Sequence, residues 1–211
     1  MAAYQTVLGE KGIEVTEQDY LSSLGMNDVR FVQAAYGRAG LPLPDELLTE
    51  ILEQKTGAHR ALIEDELPIF PGVITFVKAA SRQFRIGLVS MARRGEIDYV
   101  MERANLSDYF ETVVSAEDVQ TCKPDPACYN KGFELLTERI QKSKGELISA
   151  GECLVIEDSP PGIRAGKTAG MRTLAITNTV AESELRKAGA DVVSNSLSDW
   201  NVDAVRRVFV S

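Results

Sequence analysis

Four short apolar runs alternate with helix-period stretches from Pro71 onward: Ile86-Gly87-Leu88-Val89, Thr112-Val113-Val114, Cys153-Leu154-Val155-Ile156 and Thr173-Leu174-Ala175-Ile176. The runs are continuous rather than alternately polar. Both faces of each strand are therefore expected to be buried, as in a parallel sheet covered by helices. Repeated strand–helix alternation then predicts a doubly wound α/β domain.

Before Pro71 the period changes. Leu21 and Leu24, then Phe31, Val32, Ala35 and Tyr36, then Leu47, Leu48, Ile51 and Leu52 recur at three- and four-residue spacing, which predicts helices. Asn27-Asp28 is a good cap for the middle helix, and Gly40 followed by Pro42 stops it. The expected division is an all-helical segment over residues 1–67 and an α/β core over 68–211. A chain of 211 residues, 44% of them hydrophobic, suits one core domain with a smaller appendage.

Ligands of open parallel sheets bind beyond the carboxyl ends of the strands, so the residues ending each run carry the most information. The first run ends in Ser90, whose hydroxyl, with the backbone amides of Met91 and Ala92 turning into a helix, can donate to a phosphate oxygen. Ser is also an ordinary helix cap. Arg93 and Arg94 follow, suited either to a second anionic group or to water. The third run ends in Glu157-Asp158-Ser159. Two adjacent carboxylates after a buried strand repel each other unless a cation is present, and a hard divalent ion such as Mg²⁺ would resolve that conflict. The alternative is that Asp158 or Ser159 merely caps the next helix, with Pro161 in its first turn. Between these runs, Pro124 and Pro126 stiffen the loop that carries Lys123. An ammonium held there could neutralise a phosphoryl group and a carboxylate together.

The net charge of -8 argues against a broad nucleic-acid footprint, though not against a small anionic substrate. No apolar run approaches the roughly 20 residues of a membrane span. Met1-Ala2-Ala3-Tyr4-Gln5 has neither a basic nor an apolar leader region. Cys122, Cys128 and Cys153 show no CxxC spacing and suit a reducing compartment. A cytoplasmic protein is expected. His59, without a partner His or Cys nearby, reads as a packing residue, and Trp200 as an anchor for the last helix.

In combination the motifs resemble the haloacid dehalogenase superfamily, in the branch with a small helical cap that includes β-phosphoglucomutase and many small-molecule phosphatases. Lys123-Pro124-Asp125-Pro126 and Ile156-Glu157-Asp158-Ser159-Pro160-Pro161-Gly162-Ile163 carry the resemblance most specifically. Phe70-Pro71-Gly72, Asn105-Leu106-Ser107-Asp108-Tyr109-Phe110 and Ala169-Gly170-Met171 extend it. The resemblance implies a Rossmann-like core with residues 1–67 as the cap, and a small phosphorylated metabolite as substrate. It also implies Mg²⁺ as cofactor and a covalent aspartyl-phosphate route. Ser90 would bond the transferring phosphoryl group, Lys123 would offset its charge, and Glu157 and Asp158 would serve the metal, Asp158 the more directly. Leu24-Gly25-Met26-Asn27-Asp28-Val29-Arg30 would be the substrate loop, with Gly25 allowing a tight turn and Arg30 free to meet a distal anion or solvent. Sugar-phosphate isomerisation is the runner-up to hydrolysis.

The family's first motif, a strand followed by Asp-x-Asp-Gly, is not found in this sequence. Met1-Ala2-Ala3-Tyr4 resembles a part of the cap-entry helix that lies later in relatives. The central strand of the sheet and the nucleophile are therefore expected to be missing. Three accounts stand: an internal start within a longer enzyme, a degenerate relative that binds a phosphorylated ligand or a partner without turnover, or a substitute carboxylate elsewhere.

Overall fold

The computed structural model describes residues 1–145 and 147–210. Four helices come first: α1 (Ala2–Gly9), α2 (Glu17–Ser22), α3 (Asp28–Ala39) and α4 (Asp45–Leu62). Asn27 caps α3 by accepting the Arg30 amide at 2.9 Å, and Gly40 ends it in the left-handed conformation at φ 66°. Helix α1 has no side-chain cap, yet Tyr4, Val7 and Leu8 are buried. They join Phe31, Val32 and Ile51 in an apolar cluster drawn only from the helical segment, so packing rather than capping holds α1 in place.

The α/β part runs α5 (Val73–Ala80), β1 (Gly87–Val89), α6 (Arg94–Arg103), β2 (Thr112–Val114), α7 (Ala127–Lys144), β3 (Leu154–Glu157), α8 (Pro160–Thr168), β4 (Arg172–Ile176), α9 (Glu182–Lys187), β5 (Val192–Ser194) and α10 (Val202–Phe209). All strand pairing is parallel, as the continuous apolar runs predict. Strand β5 is an addition to the sequence reading, and Trp200 packs near Phe209 of the last helix at 5.9 Å between ring centroids.

The ladders form two sheets, β1-β2 and β3-β4-β5. They share one core, because Val89, Val114, Val155 and Ala165 belong to a single apolar cluster. In a parallel ladder a residue directs both its N–H and its C=O to the same side. Glu111 N donates to Ile86 O, and Ser90 N to Val114 O, both at 2.9 Å. Even-numbered positions of β1 therefore face β2, and the backbone of Gly87 and Val89 faces the other way. Arg172 N donates to Cys153 O at 3.0 Å, so on β3 the backbone of Leu154 and Ile156 faces away from β4. Among the described residues no strand covers these edges. Ile156 is 38% exposed although it lies within a core strand. These two edges, one on β1 and one on β3, are left without a ladder partner among the described residues.

Candidate active site

A cavity of about 950 Å³ opens at the carboxyl ends of β1 and β3, between the helical segment and the sheet. Ser90, Met91, Ala92, Lys123, Glu157, Asp158 and Gly25 all line it. Ser90 sits directly after β1, with its amide tied to Val114 O and its hydroxyl accepting the Ala92 amide at 3.1 Å. Gly25 has φ 85°, and a Cβ there would come within 2.8 Å of Pro161 Cβ and 3.0 Å of Lys123 Cβ. The loop from the helical segment thus rests on the Lys123 loop, to which Asn27 N also reaches through Cys122 Sγ at 3.4 Å.

Lys123 is 9% exposed. It leaves a loop in which Asp125 accepts the Ala127 amide at 2.9 Å and starts α7, and its ammonium lies 4.9 Å from the centre of the Tyr129 ring. It pairs with Glu157. Glu157 is taken up on both oxygens. Oε1 accepts from Lys123 and from the Tyr129 hydroxyl at 2.8 Å, while Oε2 accepts from Asp158 N, Ser159 N and the Ser159 hydroxyl at 3.0–3.2 Å. Burial pushes this carboxyl up, but Lys123 and the hydroxyl donors outweigh it and hold it below the ordinary glutamate value. Gly162 is required beside it, because a Cβ at that position would collide with the Glu157 carboxylate.

Asp158 is placed differently. Among the described residues its one side-chain partner is the Thr179 hydroxyl. Burial, opposed by that hydrogen bond and aided by the charge of Glu157, raises its carboxyl above the ordinary aspartate value. A half-buried carboxylate without a cation is the group that a metal ion would satisfy. Glu157, by contrast, already accepts from Lys123, Tyr129, Ser159 and two backbone amides. Among the described residues no three His, Cys, Asp or Glu side chains are gathered as a ready metal cluster. A cation here would rely on Asp158, a substrate phosphate and water, the pattern common for Mg²⁺.

Two of the expected substrate residues lie elsewhere. Arg30 is exposed and does not line this cavity; it borders an adjoining groove that shares Met26 and Lys123 with it. Asp28, Phe31 and Val32 form the buried stripe of α3, and Arg30 stands about 200° from Asp28 on a 3.6-residue helix. Arg93 reaches toward Leu52 O and lies 3.9 Å from Glu117, away from the cavity. Arg94 is structural, donating to Val113 O and Asp118 at 2.9 Å. Tyr129 and Thr179 escaped the sequence reading because their roles arise through contacts 28 and 21 residues away. His59 stands at the cavity wall, with its Nδ1 buried.

Residues 2–170 match the family described as "Hydrolase: haloacid dehalogenase-like hydrolase". The chain belongs to that family. Among relatives of this haloacid dehalogenase-like chain, Protein SUPPRESSOR OF QUENCHING 1, chloroplastic, of Arabidopsis thaliana is 26% identical over 94% of the chain, which spans 18% of that protein's length. Hexitol phosphatase B of Escherichia coli K12 is 26% identical over 92% of the chain and 82% of its own length. The fold is similar to that of β-phosphoglucomutase from Clostridium difficile, with a TM-score of 0.81 at 18% identity, covering 99% of this chain and 88% of that one.

Proposed function

We propose that this chain is the core and cap of a Mg²⁺-dependent phosphatase for a small phosphorylated metabolite. The observation that carries the reading is the meeting of Ser90, the buried Lys123–Glu157 pair and the cation-free Asp158 on one cavity wall. The Ser90 hydroxyl, held by the Ala92 amide, and the amide of Met91 donate to phosphoryl oxygens, Lys123 offsets their charge, and Asp158 holds the metal. When bound, Mg²⁺ would reduce repulsion between carboxylate and phosphate. The relative named hexitol phosphatase B supports hydrolysis as the reaction, and isomerisation of a sugar phosphate is the second reading, favoured by the fold of β-phosphoglucomutase. Three free cysteines support a reducing, cytoplasmic setting.

The cavity carboxylates are all engaged or assigned: Glu157 by its five donors, Asp28 and Glu96 by Lys55, and Asp158 to the metal. The attacking aspartate is supplied, in this reading, by a strand that occupies the gap between β1 and β3. Its carboxylate oxygen bonds to phosphorus as the ester P–O bond breaks and the leaving oxygen takes a proton from water, and a second water then cleaves the acyl phosphate to free phosphate and the carboxylate. The 211-residue chain by itself binds phosphate without turnover. Isothermal titration with inorganic phosphate should show Mg²⁺-enhanced binding that Asp158→Asn abolishes. Phosphate binding insensitive to both would refute the site, and Mg²⁺-dependent turnover by this chain alone would refute the role of the gap.

A further inference from the structure

Tyr129 touches both members of the buried Lys123–Glu157 pair, yet the phosphate chemistry described so far gives it no part. It lies in the first turn of α7 and is 7% exposed. Lys123 is joined to it by the stiff Pro124-Asp125-Pro126 turn. That turn starts the helix, with the Ala127 amide on Asp125 and the Asn130 amide on Pro126 O, both at 2.9 Å. The ring is thereby set locally with respect to the lysine. Its centre lies 4.9 Å from the Lys123 ammonium, and its hydroxyl donates to Glu157 Oε1 at 2.8 Å. An aromatic face attracts a cation at up to about 6 Å, most strongly where water is excluded. Tyr129 also belongs to an apolar cluster with Val114 and Val155, against which Phe133, one turn along α7, packs. Filling that cluster requires neither a ring face beside an ammonium nor a hydroxyl on a carboxylate, and Tyr129 supplies both.

We propose that Tyr129 is a positioning residue for the phosphoryl subsite: its ring face seats the Lys123 ammonium, and its hydroxyl braces Glu157. The inference rests on the reading of Ser90, Lys123 and Asp158 as that subsite. A lysine carries a compact charge on a flexible stem. Here the stem is closely packed near its base by Gly25, where an added Cβ would come within 3.0 Å of Lys123 Cβ, and the ring holds its head. The ring does this without a formal charge of its own. A second carboxylate in its place would turn the neutral Lys123–Glu157 pair negative and oppose an incoming phosphate. With the ring and Glu157 fixed, the ammonium stands in place before the anion arrives, and binding need not order it. The ring carries the larger share. Without the Tyr129 hydroxyl, Glu157 keeps Lys123, the amides of Asp158 and Ser159, and the Ser159 hydroxyl.

NMR of the full chain with isotope-labelled lysine tests the placement, and isothermal titration with inorganic phosphate and Mg²⁺ tests its consequence. The Lys123 ε-methylene peak, assigned by its loss in Lys123→Met, should lie upfield of those of solvent-facing lysines, because protons above an aromatic face are shielded. Tyr129→Phe should keep that shift and bind phosphate within about threefold of the unsubstituted chain. Tyr129→Leu should lose the shift and bind phosphate about tenfold more weakly. Phe133→Leu, the same truncation against the same cluster, should leave both readouts unchanged, and thermal melting shows that each variant is folded. If Tyr129→Leu does not fold, Tyr129→Met takes its place with the same expectation. A Lys123 peak among those of solvent-facing lysines in the unsubstituted chain would overturn the inference. So would a folded Tyr129→Leu with unchanged phosphate affinity, or an equal loss in Phe133→Leu, and each would leave the phosphoryl subsite intact. Failure of the unsubstituted chain to bind inorganic phosphate would overturn the subsite, and the inference with it.

Discussion

Replacing Lys123 with methionine keeps the apolar stem and removes the ammonium from Glu157. The two side chains are 7% and 9% exposed, so the charge left behind sits away from water. Removing one partner of a buried pair costs about 3–5 kcal/mol, because the other charge is stranded. Glu157 would retain the Tyr129 and Ser159 hydroxyls and the amides of Asp158 and Ser159, which points to the lower end, about 3 kcal/mol. In a chain of this size that corresponds to a fall in Tm of about 6–12 °C. The effect has a definite pH dependence. A depressed carboxylate contributes stability that is present above its unfolded pKa, about 4.3 for glutamate, and lost as pH falls through its folded value. Glu157 is depressed because Lys123 and the hydroxyl donors overcome burial, and without Lys123 burial dominates. The deficit should therefore be largest near neutrality and shrink toward about pH 4. Urea unfolding of the wild type, Lys123→Met and Lys123→Met/Glu157→Gln across that range measures it. The double variant should regain part of the loss, since no stranded charge remains. A single-variant loss below about 1 kcal/mol, or a double variant no more stable than Lys123→Met, would refute the account of the pair.

Asp158→Asn should act in the opposite direction on the metal-free protein. Burial raises the Asp158 carboxyl, and a raised carboxylate costs stability once pH exceeds its unfolded value of about 3.9. The variant should therefore melt higher at pH 7 and lose any Mg²⁺-induced rise in Tm, both readable by scanning fluorimetry. Asp191 should titrate below the ordinary aspartate value. Burial raises it, but Lys167, the Thr173 amide at 2.7 Å and the Thr173 hydroxyl at 3.0 Å outweigh that. Its contribution is present above about pH 3.9 and lost as pH falls, so Asp191→Asn should flatten the acid limb of the stability curve. The gap makes a prediction for hydrogen exchange. Amides of Val89 and Ile156 should exchange faster than those of Ser90 and Arg172, which donate to Val114 O and Cys153 O, and equal protection would show that both edges are covered.

The three strand-end residues, Ser90, Glu157 and Asp158, were legible because parallel sheets present their chemistry at fixed places. A hydroxyl after one apolar run and two carboxylates after another needed no tertiary information to be noticed. Strand β5 was not legible, since only Val192 and Val193 are apolar in it, set between Asp191 and Ser194-Asn195, and no apolar run stands out. The different surroundings of the acidic pair were hidden as well. Adjacent residues at the end of a strand point to different surroundings, and only the fold shows that five donors reach Glu157 while one reaches Asp158. The buried trio of Lys55, Asp28 and Glu96, where the helical segment meets the core, is the extreme case. Asp28 and Glu96 stand 27 and 41 residues from Lys55, and each looks like an ordinary charge on an amphipathic helix. His59 was set aside for lack of a His or Cys partner, whereas the charged groups that influence it are Glu96, Lys55 and Asp28.

The gap in the sheet and the site at its end are parts of one arrangement. Ser90 belongs to the β1 edge, Glu157 and Asp158 to the β3 edge, and Lys123 reaches the same cavity through Glu157. The backbone groups of Gly87 and Val89 face outward from one side, and those of Leu154 and Ile156 from the other. Packing keeps the two edges in place: Gly132 lets α7 approach Val89, where a Cβ would come within 3.0 Å of its methyl, and Gly166 lets α8 approach Val155 at 3.2 Å. A strand entering in parallel register would pair along both edges and run out between Ser90 and Glu157. Its last side chain would meet the ammonium of Lys123, a group held in a stiff loop and oriented by Glu157. Any carboxylate delivered there would be charge-compensated on arrival. On the proposed reading, one strand would both cover these edges and bring the carboxylate, so its addition should raise folding stability and phosphate turnover together.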